Sequence, residues 1–149
     1  MRWFAAIVFF GLPQAVEAQI SPFELTLGMH ENAVKELVDA RKFTILSEKS
    51  ATSDTEWRSD GFDLYFCKHH LTGIHIPLHS DVASFSRAVE SERKVRGEPT
   101  FALESRIWGS VEAKWRIEPY RYLSISLTQY REPNVSVDRW LQDTHSCES

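Results

Sequence analysis

Four of the six histidines lie between residues 69 and 79: His69, His70, His75 and His79. Imidazoles are good ligands for zinc or copper, so this stretch is the first place to look for chemistry. Its spacing argues against one metal centre. On an extended segment His75 and His79 share a face about 13 Å apart at ~3.3 Å per residue, too far for one ion unless Pro77 bends the chain. His69 and His70 fall at a turn one strand length away. The expectation is therefore surface histidines with no metal bound, and a metal-binding envelope protein using residues 69–79 is an alternative. Met29-His30-Glu31-Asn32 contains His-Glu but lacks the second His of a zincin helix. No Gly-x-Ser-x-Gly elbow, Ser-x-x-Lys pair or phosphate-binding glycine loop occurs. Carboxylates such as Asp60 and Asp63 could serve acid–base chemistry. An exported hydrolase would then use His75 with a neighbouring carboxylate. No catalytic residue and no cofactor is expected in the main reading.

Binding chemistry is better represented. Val111, Ala113, Trp115 and Ile117 alternate with Glu112, Lys114, Arg116 and Glu118. Leu123, Ile125 and Leu127 alternate with Tyr122, Ser124, Ser126, Thr128 and Tyr130, and Val135 with Val137 starts a further strand. Such period-two runs make an antiparallel meander with one apolar and one polar face. The polar face collects the candidate binding residues Tyr65, His75, Lys114, Arg116, Tyr122 and Tyr130. Tyr and Arg are frequent at protein interfaces because they bury much area behind a polar tip. High β-propensity alone also places Tyr and Thr on exposed strands. Trp108 and Trp140 could anchor that interface or close the ends of the core, and the core is the preferred assignment.

These residues need a frame. Phe23, Leu25 and Leu27 alternate as a short strand before Gly28. Met29, Ala33, Val34, Leu37 and Val38 recur at helical spacing with Glu31, Lys35, Glu36 and Asp39 outside them, an amphipathic helix of about three turns. Phe43 to Leu46 is β-prone. Residues 47–61 are rich in Ser, Thr, Asp and Glu and read as a loop, with room for a short strand around Trp57. Leu64 and Phe66 face Ile74, Ile76 and Leu78 across a hairpin, and a three-residue turn would set Leu64 opposite Ile74. Ser80 or Asp81 caps a second helix with Val82, Phe85 and Val89 as its stripe, and Gly97 with Pro99 ends it.

The chain begins with Arg2, an apolar run from Trp3 to Leu12, and Val16-Glu17-Ala18 as a cleavage sequence. Residues 1–18 thus read as a signal peptide and 19–149 as one α+β domain. The apolar run is about half of the ~20 residues a membrane span requires, so no span remains after cleavage. Export to a periplasmic or secreted location makes Cys67 and Cys147, the two cysteines of the chain, a disulfide pair. The net charge of −4 disfavours nucleic acid as a partner.

Leu27-Gly28-Met29, leading into the helix that contains Val34, resembles the opening of small exported proteins of the SmpA/OmlA (BamE-like) and β-lactamase-inhibitor-protein type. The resemblance covers about residues 25–40. Gly97-Glu98-Pro99 is similar to the Gly-x-Pro of those units, here placed after the second helix instead of the first. The resemblance implies an envelope accessory or inhibitor protein that acts through its surface.

The expected architecture is a two-layer α+β sandwich, an antiparallel sheet with one face covered by two helices. The order helix, strands, helix, strands hints at two diverged halves. The expected function is an exported, non-enzymatic binding module, with a protein of the cell envelope as its partner.

Overall fold

The computed structural model describes residues 25–51, 54–59, 61–105, 109–131 and 134–145. Helix α1 (Glu31–Ala40) is followed by strands β1 (Ile45–Ala51), β2 (Asp54–Ser59), β3 (Asp63–Cys67) and β4 (His70–Pro77). Helix α2 (Val82–Arg96) is followed by β5 (Thr100–Ser105), β6 (Gly109–Glu118), β7 (Arg121–Arg131) and β8 (Asn134–Asp143). Each half is thus one helix and a four-strand meander. All eight strands form one sheet in the order β1-β2-β3-β4-β8-β7-β6-β5. The halves meet through their last strands, β4 and β8, which pair antiparallel from Gly73–Gln142 to Pro77–Asp138.

This corrects the expected two-layer sandwich. Strand makes up 55% of the structure and helix 23%, so a single sheet dominates and the helices do not cover its face. The reason is the number of strands. The segment read as a loop, residues 47–61, supplies most of β1 and all of β2, and Thr100–Ser105 adds β5. Eight strands ~4.8 Å apart span about 34 Å, whereas two helices ~10 Å wide cover about 20 Å. Helix α1 packs on β4 and α2 on β7 and β8, which leaves the edge strands β1 and β5 largely uncovered on that side. Polar composition hid β1 and β2 because their side chains are largely exposed; only Trp57 of β2 is buried.

The first helix forms as its periodicity predicts, with Val34 and Val38 fully buried and His30 as N-cap accepting from the Asn32 N–H. The strand expected at residues 23–27 does not form in its described part: Leu27 and Gly28 make a turn, and His30 bridges to His70 instead. Asp81 caps α2 by accepting from the Ser84 N–H at 2.7 Å, and Gly97 ends it at φ 81°. The stripe of α2 differs from expectation. Val82 faces solvent, while Ser84 and Glu92 are buried beside Phe85, Ala88 and Val89.

The β3–β4 hairpin reaches its register in an unexpected way. Leu64 does face Ile74, but the turn has two residues, Lys68 and His69, both at positive φ. That geometry matches the right-handed twist of the flanking strands. The missing residue is recovered by a bulge: Tyr65 pairs with Gly73 and Phe66 with Leu71, so Thr72 is extra. Its Oγ1 donates to the Tyr65 carbonyl at 3.1 Å.

On the helix side of the sheet, Leu64, Leu71, Ile74, Leu123, Ile125 and Val137 are buried with the two α1 valines. One member of this layer is charged. Arg139 sits in register between Ile76 and Ile125 and donates through Nη2 to Glu92 Oε1. Arg96 Nε donates to Glu92 Oε2 at 2.8 Å. A buried carboxylate thus ties α2 to β8. Removing one partner leaves the other charge desolvated, which typically costs 3–5 kcal/mol, whereas replacing the set with apolar groups is often neutral. Arg139 Nε and Arg96 Nη2 are already buried without partners, which favours the apolar exchange further. We expect Glu92→Ala to lower the unfolding free energy by about 3 kcal/mol in urea titration, and the triple exchange Glu92→Met, Arg96→Met, Arg139→Met to recover most of it. A loss below about 1 kcal/mol for Glu92→Ala would show that the pair behaves as a surface ion pair.

Candidate functional site

The face opposite the helices is built from the alternate positions of the same strands. One register row runs Glu56, Tyr65, Gly73, Gln142, Tyr122, Arg116 from β2 to β6. The next runs Arg58, Asp63, His75, Trp140, Ser124, Lys114. Five of the six candidates, Tyr65, His75, Lys114, Arg116 and Tyr122, therefore lie on one face in two adjacent rows. Tyr130 lies at the far end of β7, where the pairing with β8 shifts between Gln129 and Arg131. It is about 26 Å along the strand from Tyr122 and does not join the group.

Gly73 sets the centre of this face. A Cβ there would stand 3.2 Å from the Tyr65 Cβ, so glycine lets the tyrosine sit close where a larger residue would have to push it back by a few tenths of an ångström. The Tyr65 ring then lies 5.3 Å from the Trp140 ring, and Trp140 stacks on His75 at 4.3 Å. Trp140, expected in the core, belongs to the open face. Its position follows from β8, where Val137, Arg139 and Leu141 take the helix side and Asp138 and Trp140 the other. Arg139 in an apolar slot masks that alternation. Trp108 lies outside the described residues.

His75 is held at both ring nitrogens. Nδ1 lies 3.0 Å from Asp63 Oδ2 and Nε2 lies 2.9 Å from Asp138 Oδ1. Ser136 Oγ donates to Asp138 Oδ2 at 3.0 Å. Burial of the ring works against its charge, but the hydrogen bonds to Asp138 and Asp63 outweigh it and the His75 pKa is raised above the ordinary 6.5. The bond to His75 holds Asp138 below the ordinary 3.8, against the opposing effect of its burial and with help from Ser136. An imidazole with two carboxylate acceptors donates from both nitrogens, so its charged form fits the site. No ring nitrogen is left to take a proton from a substrate unless one of these bonds breaks. The arrangement clamps three strands.

Beyond Trp140, the Lys114 ammonium sits 4.5 Å from the centre of the Tyr122 ring, a cation–π contact. Arg116 is exposed beside Tyr122. Ser124, beneath Trp140 and Lys114 in the row, is buried.

The histidine stretch is divided among three places. His75 is on the open face. His69 and His70 sit at the hairpin end, where His69 Nδ1 meets Glu31 Oε2 at 2.8 Å and His70 Nδ1 meets the Lys68 carbonyl at 2.9 Å. His30 packs against both rings. His79 follows β4 and is exposed. Among the described residues no group of three His, Cys, Asp or Glu side chains could hold a metal ion. Cys67 is buried at the end of β3, and Cys147 lies outside the described residues.

Compared with known proteins, the chain matches no family model, no curated protein and no solved structure.

The clamp has a signed pH dependence. The raised His75 pKa contributes stability that is complete below 6.5 and disappears as pH rises through the folded value. The lowered Asp138 pKa contributes stability present above 3.8 and lost as pH falls through its folded value. Stability from this pair is therefore greatest between 3.8 and 6.5. In urea titrations at stepped pH, His75→Asn is expected to flatten the alkaline decline relative to the unsubstituted chain. Identical pH profiles for the two proteins would rule out the clamp.

Proposed function

We propose that this chain is an exported, non-enzymatic binding module that holds a protein of the cell envelope on the open face of its sheet, as an accessory or inhibitor. The observation that carries this reading is the assembly of Tyr65, Trp140, His75, Tyr122, Lys114 and Arg116 on that face, opposite both helices. Aromatic and arginine side chains held on a rigid sheet lose little freedom on binding and bury large areas. The carboxylates and imidazole of the face hydrogen-bond one another, which favours a fixed docking surface over a turnover site. Export rests on the signal-like residues 1–18. No helix among the described residues is long and apolar enough to cross a membrane.

The binding test uses a cell-envelope extract passed over immobilised chain, followed by a purified partner in titration. We expect Tyr122→Ala with Arg116→Ala to weaken capture by at least about tenfold, the effect of ~1.4 kcal/mol, while far-UV circular dichroism stays unchanged. Undiminished capture by the folded double variant would move the interface away from this face.

The disulfide between Cys67 and Cys147 belongs to the same reading. Gln142 is paired with Gly73 and Cys67 with His70, so β8 runs toward the sheet end that carries Cys67. The last described residue after β8, His145, is two positions before Cys147. Thiol titration of the unreduced, denatured protein should find no free cysteine; two reactive thiols would contradict both the bond and an oxidising compartment.

A further inference from the structure

The two edges of the sheet are built differently. β1 carries Glu48 and Lys49 and a register shift between Ile45 and Ser47, both of which discourage pairing with another strand. β5 pairs with β6 without irregularity over all six residues, carries one charged residue, Glu104, and contains neither Lys, Arg nor Pro. Its outer side therefore presents a straight row of backbone N–H and C=O groups. Phe101 and Leu103 are 56% and 79% exposed. They share the helix side of the sheet with Val111 and Leu127. Next to them Val82, Leu103, Val111, Leu127 and Val135 line an open groove of about 600 Å³. Only the first turn of α2, through Val82, borders this corner, and Val82 is itself exposed.

We propose that β5 is a homodimerisation edge, at which two copies of the chain pair their Thr100–Ser105 strands antiparallel about a two-fold axis at Ala102. The occupant follows from the strand's own symmetry. With Ala102 on the axis, Phe101 of each copy faces Leu103 of the other on the groove side. Glu104 faces Thr100, so no like charges meet. A slip of one residue would place Phe101 opposite Ala102 or Glu104 and lose both Phe101–Leu103 pairs. An isologous contact of this kind closes on itself and leaves the charged, bulged β1 as the outer edge of both copies. A six-residue edge is about 20 Å long in a sheet about 10 Å deep. That footprint is about 200 Å² per copy, below the ~800 Å² per partner of a standard interface, so the dimer is weak and reversible, with a Kd of about micromolar or weaker. The contact lies across the sheet from Tyr65 and is independent of the binding face proposed above.

Sedimentation velocity of the whole chain from about 1 µM to about 1 mM brackets that affinity. The expected result is a mass that rises from monomer toward dimer, and a Leu103→Lys variant that stays monomeric with unchanged circular dichroism. Ala102→Cys should give an oxidised dimer, since residues opposed on a two-fold have Cα atoms within disulfide reach. Leu46→Cys on β1 should not, and Tyr122→Ala with Arg116→Ala should dimerise like the unsubstituted chain. A chain that remains monomeric throughout overturns the proposal, as it would if β5 accepts a strand of another protein or the chain's own N-terminal segment. Equal association of Leu103→Lys, or cross-linking through Leu46→Cys, overturns it as well.

Discussion

Everything in this molecule is arranged about the antiparallel pairing of β4 with β8. Each half ends in the strand that it contributes to this seam, so neither meander has a free inner edge and the two helices come to lie over the middle of one wide sheet. Five residue pairs from Gly73–Gln142 to Pro77–Asp138 form the junction. Their side chains alternate between two environments. Toward the helices, Ile74 faces Leu141 and Ile76 faces Arg139, and Arg139 reaches up to Glu92 of α2. Toward the open side, His75 faces Trp140 and bonds to Asp138. The same backbone register therefore places the buried ion pair on one face and the imidazole clamp on the other.

The two charged clusters have different physical characters. Glu92 is buried, and its bonds with Arg96 and Arg139 orient α2 on the sheet. Such a set specifies position more than it adds stability. His75 is half-buried, and its bonds run from β4 to β3 on one side and to β8 on the other. It fixes the aromatic group around Gly73, so the side chains of the proposed interface are ordered before any partner arrives. Preorganisation of that kind lowers the entropic cost of binding.

Much of this was legible in the sequence where burial and pattern agree. Val34 and Val38 marked the first helix, Asp81 and Gly97 the limits of the second, and the alternation from Val111 to Val137 the C-terminal meander. Tyr65, His75, Lys114, Arg116 and Tyr122 could be assigned to one face from parity alone. What escaped notice did so for physical reasons. β1 and β2 lie at an edge of the sheet with mostly exposed side chains, so they carry little apolar pattern. Glu92 and Arg139 occupy interior positions that a hydrophobic template reads as surface, and Arg139 interrupts the alternation that would place Trp140 on the open face. The two-residue turn at Lys68-His69 and the extra Thr72 cancel in register, so Leu64 meets Ile74 by a route that residue counting does not reveal. With the strand count too low by these elements, the sheet was expected to be narrow enough for two helices to cover.

The central claim is that a charged His75 bridges Asp63 and Asp138 across the seam and holds the open face in order. The ¹⁵N chemical shifts of the His75 ring at pH 6.5, the ordinary histidine pKa, test it most directly. The account predicts that both ring nitrogens are protonated in more than half of the molecules at that pH, with the two N–H protons protected from solvent exchange. A neutral ring with one unprotonated nitrogen, titrating like an exposed histidine, would contradict it.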